Sequence, residues 1–96
     1  MIRHVVMFTL KAPENLEAAR RGLERLAAIP HARALEVVPN LKRDQIGNEV
    51  DLVVHAVFDD TAALDAYKRH PLYAEAIAAV RPLREIRLAA DFVTDL

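Results

Sequence analysis

Cysteine is absent from this 96-residue chain, and glycine occurs only twice. Without cysteine there is no disulfide framework, no CxxC redox pair, no thiol nucleophile and no cysteine-ligated zinc or iron–sulfur centre. Two glycines cannot build a phosphate-cradling loop, and no GxGxxG, Walker or GxSxG pattern occurs, which argues against a nucleotide cofactor. An excess of one charge is missing too. Thirteen basic and fourteen acidic residues give a net charge of −1, with no basic stripe to neutralise a phosphate backbone, so no nucleic-acid partner is expected. No apolar run approaches the roughly 18 residues of a membrane span, and MIRHVVMFTLKAPE lacks a signal-type cleavage region. A soluble, cytoplasmic protein is the expectation. His4, His31, His55 and His70 show neither HxH nor HExxH spacing, so neither metal nor organic cofactor is expected.

What is present is a pattern of short alternating segments within a length that suits one domain, residues 1–96. A chain of this size buries only about two-thirds of its unfolded surface, and with no covalent staple available a partner subunit is the natural source of further burial. Residues 2–10 alternate, with Ile2, His4, Val6, Phe8 and Leu10 on one face, and read as a strand. From Glu14 the apolar residues Leu16, Ala19, Leu23 and Leu26 recur at helical spacing until Ile29-Pro30. Gly22 lies mid-helix, where it either permits close helix–sheet approach or is simply tolerated. Strands are expected over 33–38, 50–58 and 85–93, separated by a polar loop after Pro39-Asn40 and by a helix entered at Asp59-Asp60-Thr61. That helix is interrupted at His70-Pro71, because a pre-proline residue avoids the helical region while proline suits the first turn of a new segment.

The order βαββαβ is the ferredoxin-like, α+β arrangement: a four-stranded antiparallel sheet with helices on one face. Period-2 counting then places Val5, Met7, Val53, Val57, Ala89 and Val93 on the opposite face, which no helix remains to cover. Apolar patches of that kind are uncommon on monomers, and a second sheet is the simplest cover. A homodimer follows as the expectation. His55, with Arg3, Thr9, Asp51 and Arg87, is expected at the rim of that interface or bonded across it.

The strings Ile2 to Phe8, Asp51-Leu52-Val53-Val54 leading to Phe58, Ala66-Tyr67-Lys68-Arg69-His70-Pro71 and Ala90-Asp91-Phe92 resemble, in order and spacing, the stress-responsive A/B barrel domain (Dabb) family. The resemblance covers nearly the whole chain and implies a dimeric α/β barrel, two sheets closing across a twofold axis. Most members have no assigned activity. The best understood are plant polyketide cyclases, which perform an aldol condensation without metal or organic cofactor, using the tyrosine and second histidine of a Y-x-x-H-P-x-H motif. Tyr67 matches that tyrosine and His70-Pro71 the H-P pair, but Tyr73 replaces the second histidine and Leu52 a further pocket histidine. Pro39 stands where many members have glycine.

Three readings follow. The first is a module binding a small apolar or aromatic molecule between sheet and helices, lined by Val6, Leu23, Leu52, Val54, His70, Tyr73 and Phe92 together with His4 and Tyr67. The second is a cofactor-free enzyme of the same pocket, a cyclase, isomerase or monooxygenase acting on an aromatic or polyketide-like substrate. There His4 replaces the missing histidine as base and Tyr67 holds the substrate. The third is a structural, stress-associated dimer without a ligand. The alternative roles are structural: His4 as a satisfied core histidine, His70 as a cap at the helix break, Tyr67 and Tyr73 as core rings, Asp91 paired with Arg87.

Overall fold

The computed structural model describes residues 1–96. Strand β1 (Ile2–Leu10) leads through a 3-10 turn, Pro13–Asn15, into helix α1 (Leu16–Glu24), which tightens into a 3-10 segment over Arg25–Ala28. Strands β2 (Ala34–Pro39) and β3 (Leu52–Phe58) follow, then helices α2 (Thr61–Arg69) and α3 (Pro71–Val80), and last β4 (Arg84–Val93). The sheet order is β2-β3-β1-β4 and each neighbouring pair is antiparallel. This is the ferredoxin-like arrangement expected from the pattern.

Local chemistry explains the boundaries. Asp60 caps α2, its side chain accepting the Ala63 N–H at 2.8 Å, a contact of about 1 kcal/mol. His70 is extended at φ −66, ψ 140, as a residue before proline must be, and its Nδ1 accepts the Leu72 N–H at 3.1 Å to cap α3. At the far end of the sheet, Asp51 accepts the Leu10 N–H at 2.8 Å and pairs with Lys42 at 2.6 Å. Its carboxylate therefore ties β1 to the 40–51 loop. Burial works against that carboxylate's charge, but Lys42 and the Leu10 N–H outweigh it and hold Asp51 below its ordinary pKa.

The core lies between sheet and helices. Ile2, His4, Val6, Phe8 and Leu10 of β1 and Leu52, Val54, Ala56 and Phe58 of β3 are all buried there, beneath Leu23, Leu64, Tyr67 and Val80. The alternation of these two central strands is as the sequence implies. That of β4 is not. Register pairs Val6 with Ala89, His4 with Asp91 and Phe8 with Arg87, so Ala89, Asp91 and Arg87 face the helices. Val93, opposite Ile2, lies at the end of the same row. Ala89 and Val93, expected on the uncovered face, therefore belong to the helix side, and Arg87 leaves the expected interface rim. The uncovered face is completed instead by Ile86, Leu88, Ala90 and Phe92, beside Val5, Met7, Val53 and Val57. The cause is that β4 is an edge strand whose apolar residues point away from the helices, while its inner row is partly polar.

Gly22 serves an approach between helices rather than between helix and sheet. A Cβ there would lie 3.2 Å from both Ala79 Cβ and Val80 Cγ2 of α3. A larger side chain must push α1 away from α3, so Gly22→Leu is expected to lower stability by about 1–3 kcal/mol, read from the urea midpoint.

Candidate functional site

His4 occupies the middle of β1 on the helix side and is 1% exposed. Its Nδ1 meets Asp91 Oδ1, directly opposite on β4, at 2.5 Å. A carboxylate only accepts, so the proton of this bond sits on Nδ1, and the lone pair of a neutral ring is left on Nε2. No protein group hydrogen-bonds that second nitrogen. Burial lowers the His4 pKa below its ordinary value of 6.5; Asp91 opposes the shift, and Lys68 and Arg87 add to it. The imidazole is therefore neutral at pH 7, which is the state a proton acceptor requires.

Around His4 are three aromatic rings in edge-to-face contact. Tyr67 from α2 lies 6.1 Å from His4, 5.0 Å from Phe58 and 5.3 Å from Tyr73, centroid to centroid. The Tyr67 hydroxyl is buried and has no hydrogen-bond partner. Burial is also what raises its pKa, with Tyr73 adding and Arg87 opposing, so the phenol stays protonated and remains a donor. A small cavity of about 20 Å³ is bordered by His4, Tyr67, Tyr73, Ile77, Arg84 and Arg87, with Val6, Leu23 and Val54 among its apolar walls. That is room for about one water. Arg87 Nη2 donates to the Tyr73 hydroxyl at 3.4 Å. No three histidine or carboxylate side chains converge as a metal site.

Of the residues singled out from the sequence, the cavity thus brings together His4, Val6, Leu23, Val54, Tyr67 and Tyr73. Three others lie elsewhere. Leu52 is fully buried beside Phe8 but does not border the cavity. His70 spends its ring on the α3 cap and on contact with His31. Phe92, expected in the pocket, pairs with Arg3 on the uncovered face and is 47% exposed. His55 is on that face too, its Nε2 accepting from Arg3 at 3.0 Å and its Nδ1 meeting Glu36 at 3.1 Å. Sequence reasoning missed the partnership of Asp91 with His4 and the place of Arg84 and Arg87 at the cavity. The available signal was parity: once the even residues 86–92 are taken as an outward apolar row, 87 and 91 must point inward.

The family model for the stress responsive A/B barrel domain matches residues 2–94. Among solved structures, a dimeric ferredoxin-like protein of unknown function from Thermobifida fusca is 28% identical, with a TM-score of 0.81 over 97% of this chain and 90% of its own. A Dabb family protein with a ferredoxin-like fold from Mesorhizobium loti is 26% identical, with a TM-score of 0.80 over 97% and 95%. An antibiotic biosynthesis monooxygenase shares the fold at 16% identity, with a TM-score of 0.72 over 98% of each chain. No curated protein matches.

Two outcomes are expected from this geometry. Tyr67→Phe removes a buried hydroxyl that bonds nothing, so stability should hold or rise by up to about 1 kcal/mol, as measured by urea unfolding. Because the folded pKa of His4 is depressed, the unfolded chain binds the extra proton first. Stability should therefore be full above about pH 6.5 and fall as pH drops from there toward the folded pKa. Unfolding midpoints compared at neutral and mildly acidic pH should show a smaller loss for His4→Asn than for the wild type.

Proposed function

Because the chain belongs to the stress responsive A/B barrel domain family, we propose that it is a homodimer that binds a small apolar or aromatic molecule between its sheet and its helices. The observation that carries the binding reading is the Tyr67 hydroxyl, buried without a partner at the wall of a mostly apolar cavity. Buried polar groups are ordinarily satisfied, and one left open on a ring packed against His4 suits a ligand oxygen. The cavity of about 20 Å³ is far below the roughly 300 Å³ of a ligand pocket. Entry of a ring therefore displaces side chains on the helix side, Tyr73 and Ile77 first.

The dimer reading rests on the uncovered face. Ile86 is 51% exposed and Leu88 56% exposed, in line with Val5, Met7, Val53 and Val57, and such a row calls for a second sheet. The Thermobifida fusca protein, described as dimeric, supports the same assembly.

A second reading, a cofactor-free enzyme, is favoured by the His4–Asp91 pair. In it His4 Nε2 removes a proton from a carbon beside a carbonyl, breaking C–H and forming N–H, while the Tyr67 hydroxyl donates to the oxygen that gains the charge. Asp91 stabilises the imidazolium, and the proton returns to the product. The substrate is an aromatic or polyketide-like carbonyl compound, and no organic cofactor takes part in these steps.

The test is a titration of the wild type and His4→Ala with phenolic and β-polyketone compounds, read by thermal shift and by product formation. A binding module raises its melting temperature with ligand by mass action. Product that disappears in a folded His4→Ala variant supports the enzyme. Neither shift nor product across the series leaves the ligand-free structural dimer. Assembly is checked separately: Met7→Glu or Val57→Glu buries an unpaired charge between the sheets, so sedimentation should find each variant monomeric.

A further inference from the structure

We propose that the molecule taken by this pocket is an anion, a small aryl carboxylate whose charge is held at the pocket mouth by Arg84 and Arg87. The inference rests on the binding reading above and names the class of ligand.

Strict alternation along β4 sends residues 84 and 87 to opposite faces. A register shift prevents this: Thr9 pairs with Ile86 while Leu10 pairs with Arg84, leaving Glu85 as the extra residue of a bulge. The bulge is pinned by the Ile86 N–H, which donates to Thr9 Oγ1 at 3.0 Å. Its effect is to turn Arg84 inward, so that both arginines border the same cavity. Bulges re-aim side chains in this way beside functional sites.

Neither arginine is neutralised. The ion pairs of the molecule engage Arg20, Arg33 and Lys42, with Asp91 and Glu36 taken by His4 and His55. The side-chain hydrogen bond of Arg87 is the long one to the Tyr73 hydroxyl, and Arg84 makes none. Burial, then the repulsion of Arg87 and Arg81, pulls the Arg84 pKa down, and only Tyr73 opposes it. Lys68 and Arg87 act on His4 in the same sense. Two cationic residues thus border the cavity, and no carboxylate lines it; Asp91, the acid that acts on His4, is bonded to the far side of that ring at Nδ1.

Both arginines are half-buried, whereas His4 and Tyr67 are closed off from solvent. The charges therefore stand at the mouth and the neutral groups behind them. A carboxylate fits a guanidinium fork through two parallel N–H donors. An aryl group attached to it extends toward Tyr73 and Tyr67, where a ring oxygen meets the free hydroxyl of Tyr67 or Nε2 of His4.

The test uses 4-hydroxybenzoate against 4-hydroxybenzamide, which share a ring and differ in charge, titrated by NMR into the intact protein. The wild type should hold the carboxylate at least about tenfold tighter than the amide. Arg84→Gln and Arg87→Gln should each remove most of that preference, bringing the ratio of carboxylate to amide affinity close to one, and Arg81→Gln, outside the cavity, should preserve it. Equal binding of carboxylate and amide overturns the anion inference and leaves the binding reading standing. So does a loss in Arg81→Gln as large as in the other two, because the preference then comes from diffuse charge. Absence of binding by either compound, with shifts from neutral phenols, also overturns it; absence of binding by every compound overturns both readings.

Discussion

A histidine buried in the central strand must find a partner, and the hydrogen bond from His4 Nδ1 to Asp91 orders much of what surrounds it. Bringing Asp91 inward sets the parity of β4. Arg87 and Ala89 must then face the helices with it, and Ile86, Leu88, Ala90 and Phe92 must face away. The outward row extends the apolar strip begun by Val5, Met7, Val53 and Val57, which is the surface that calls for a second sheet. The inward row supplies a carboxylate for the imidazole and a guanidinium for the cavity. One hydrogen bond thus couples the chemistry of the inner face to the assembly of the outer one.

The same bond divides labour among neighbours. Asp91 fixes the proton on Nδ1, and burial, working against Asp91, keeps the His4 ring neutral so that it offers Nε2; Tyr67 stays protonated because burial disfavours the phenolate. His4 and Tyr67 then border one small cavity without hydrogen-bonding each other. The bulge at Glu85 adds Arg84 to Arg87 at the entrance. Tyr73 and Ile77 of α3, a helix rich in alanine, border the cavity, so its size depends on the position of that helix.

Most of the fold was legible in the sequence because burial on one side imposes a period of two. The central strands β1 and β3 are packed on one face by helices, and their even positions are apolar except for His4. The His70-Pro71 break and the Asp60 cap were legible for local reasons, a steric restriction and a short acceptor side chain. The edge strand β4 was misread, because alternation reveals that one face is apolar but not which way it points. Its apolar residues answer to the uncovered face, whereas its inner residues are Arg87, Ala89 and Asp91, so the parity that looked like core was the reverse. Phe92 and Ala89 exchanged sides for that reason. His4, Tyr67 and Tyr73 were found at the cavity since their elements were assigned correctly. Asp91 and Arg84 were missed since they depend on cross-strand register and on a bulge, neither of which periodicity encodes.

The protonation of His4 is read most directly from the nitrogen-15 NMR spectrum of its ring at pH 7. The expected result is a neutral imidazole with the proton on Nδ1, a bare Nε2, and titration to the imidazolium only below pH 6.5, the ordinary value from which burial lowers it. A ring doubly protonated at pH 7, or neutral with the proton on Nε2, would contradict it, because no acceptor would then face the cavity.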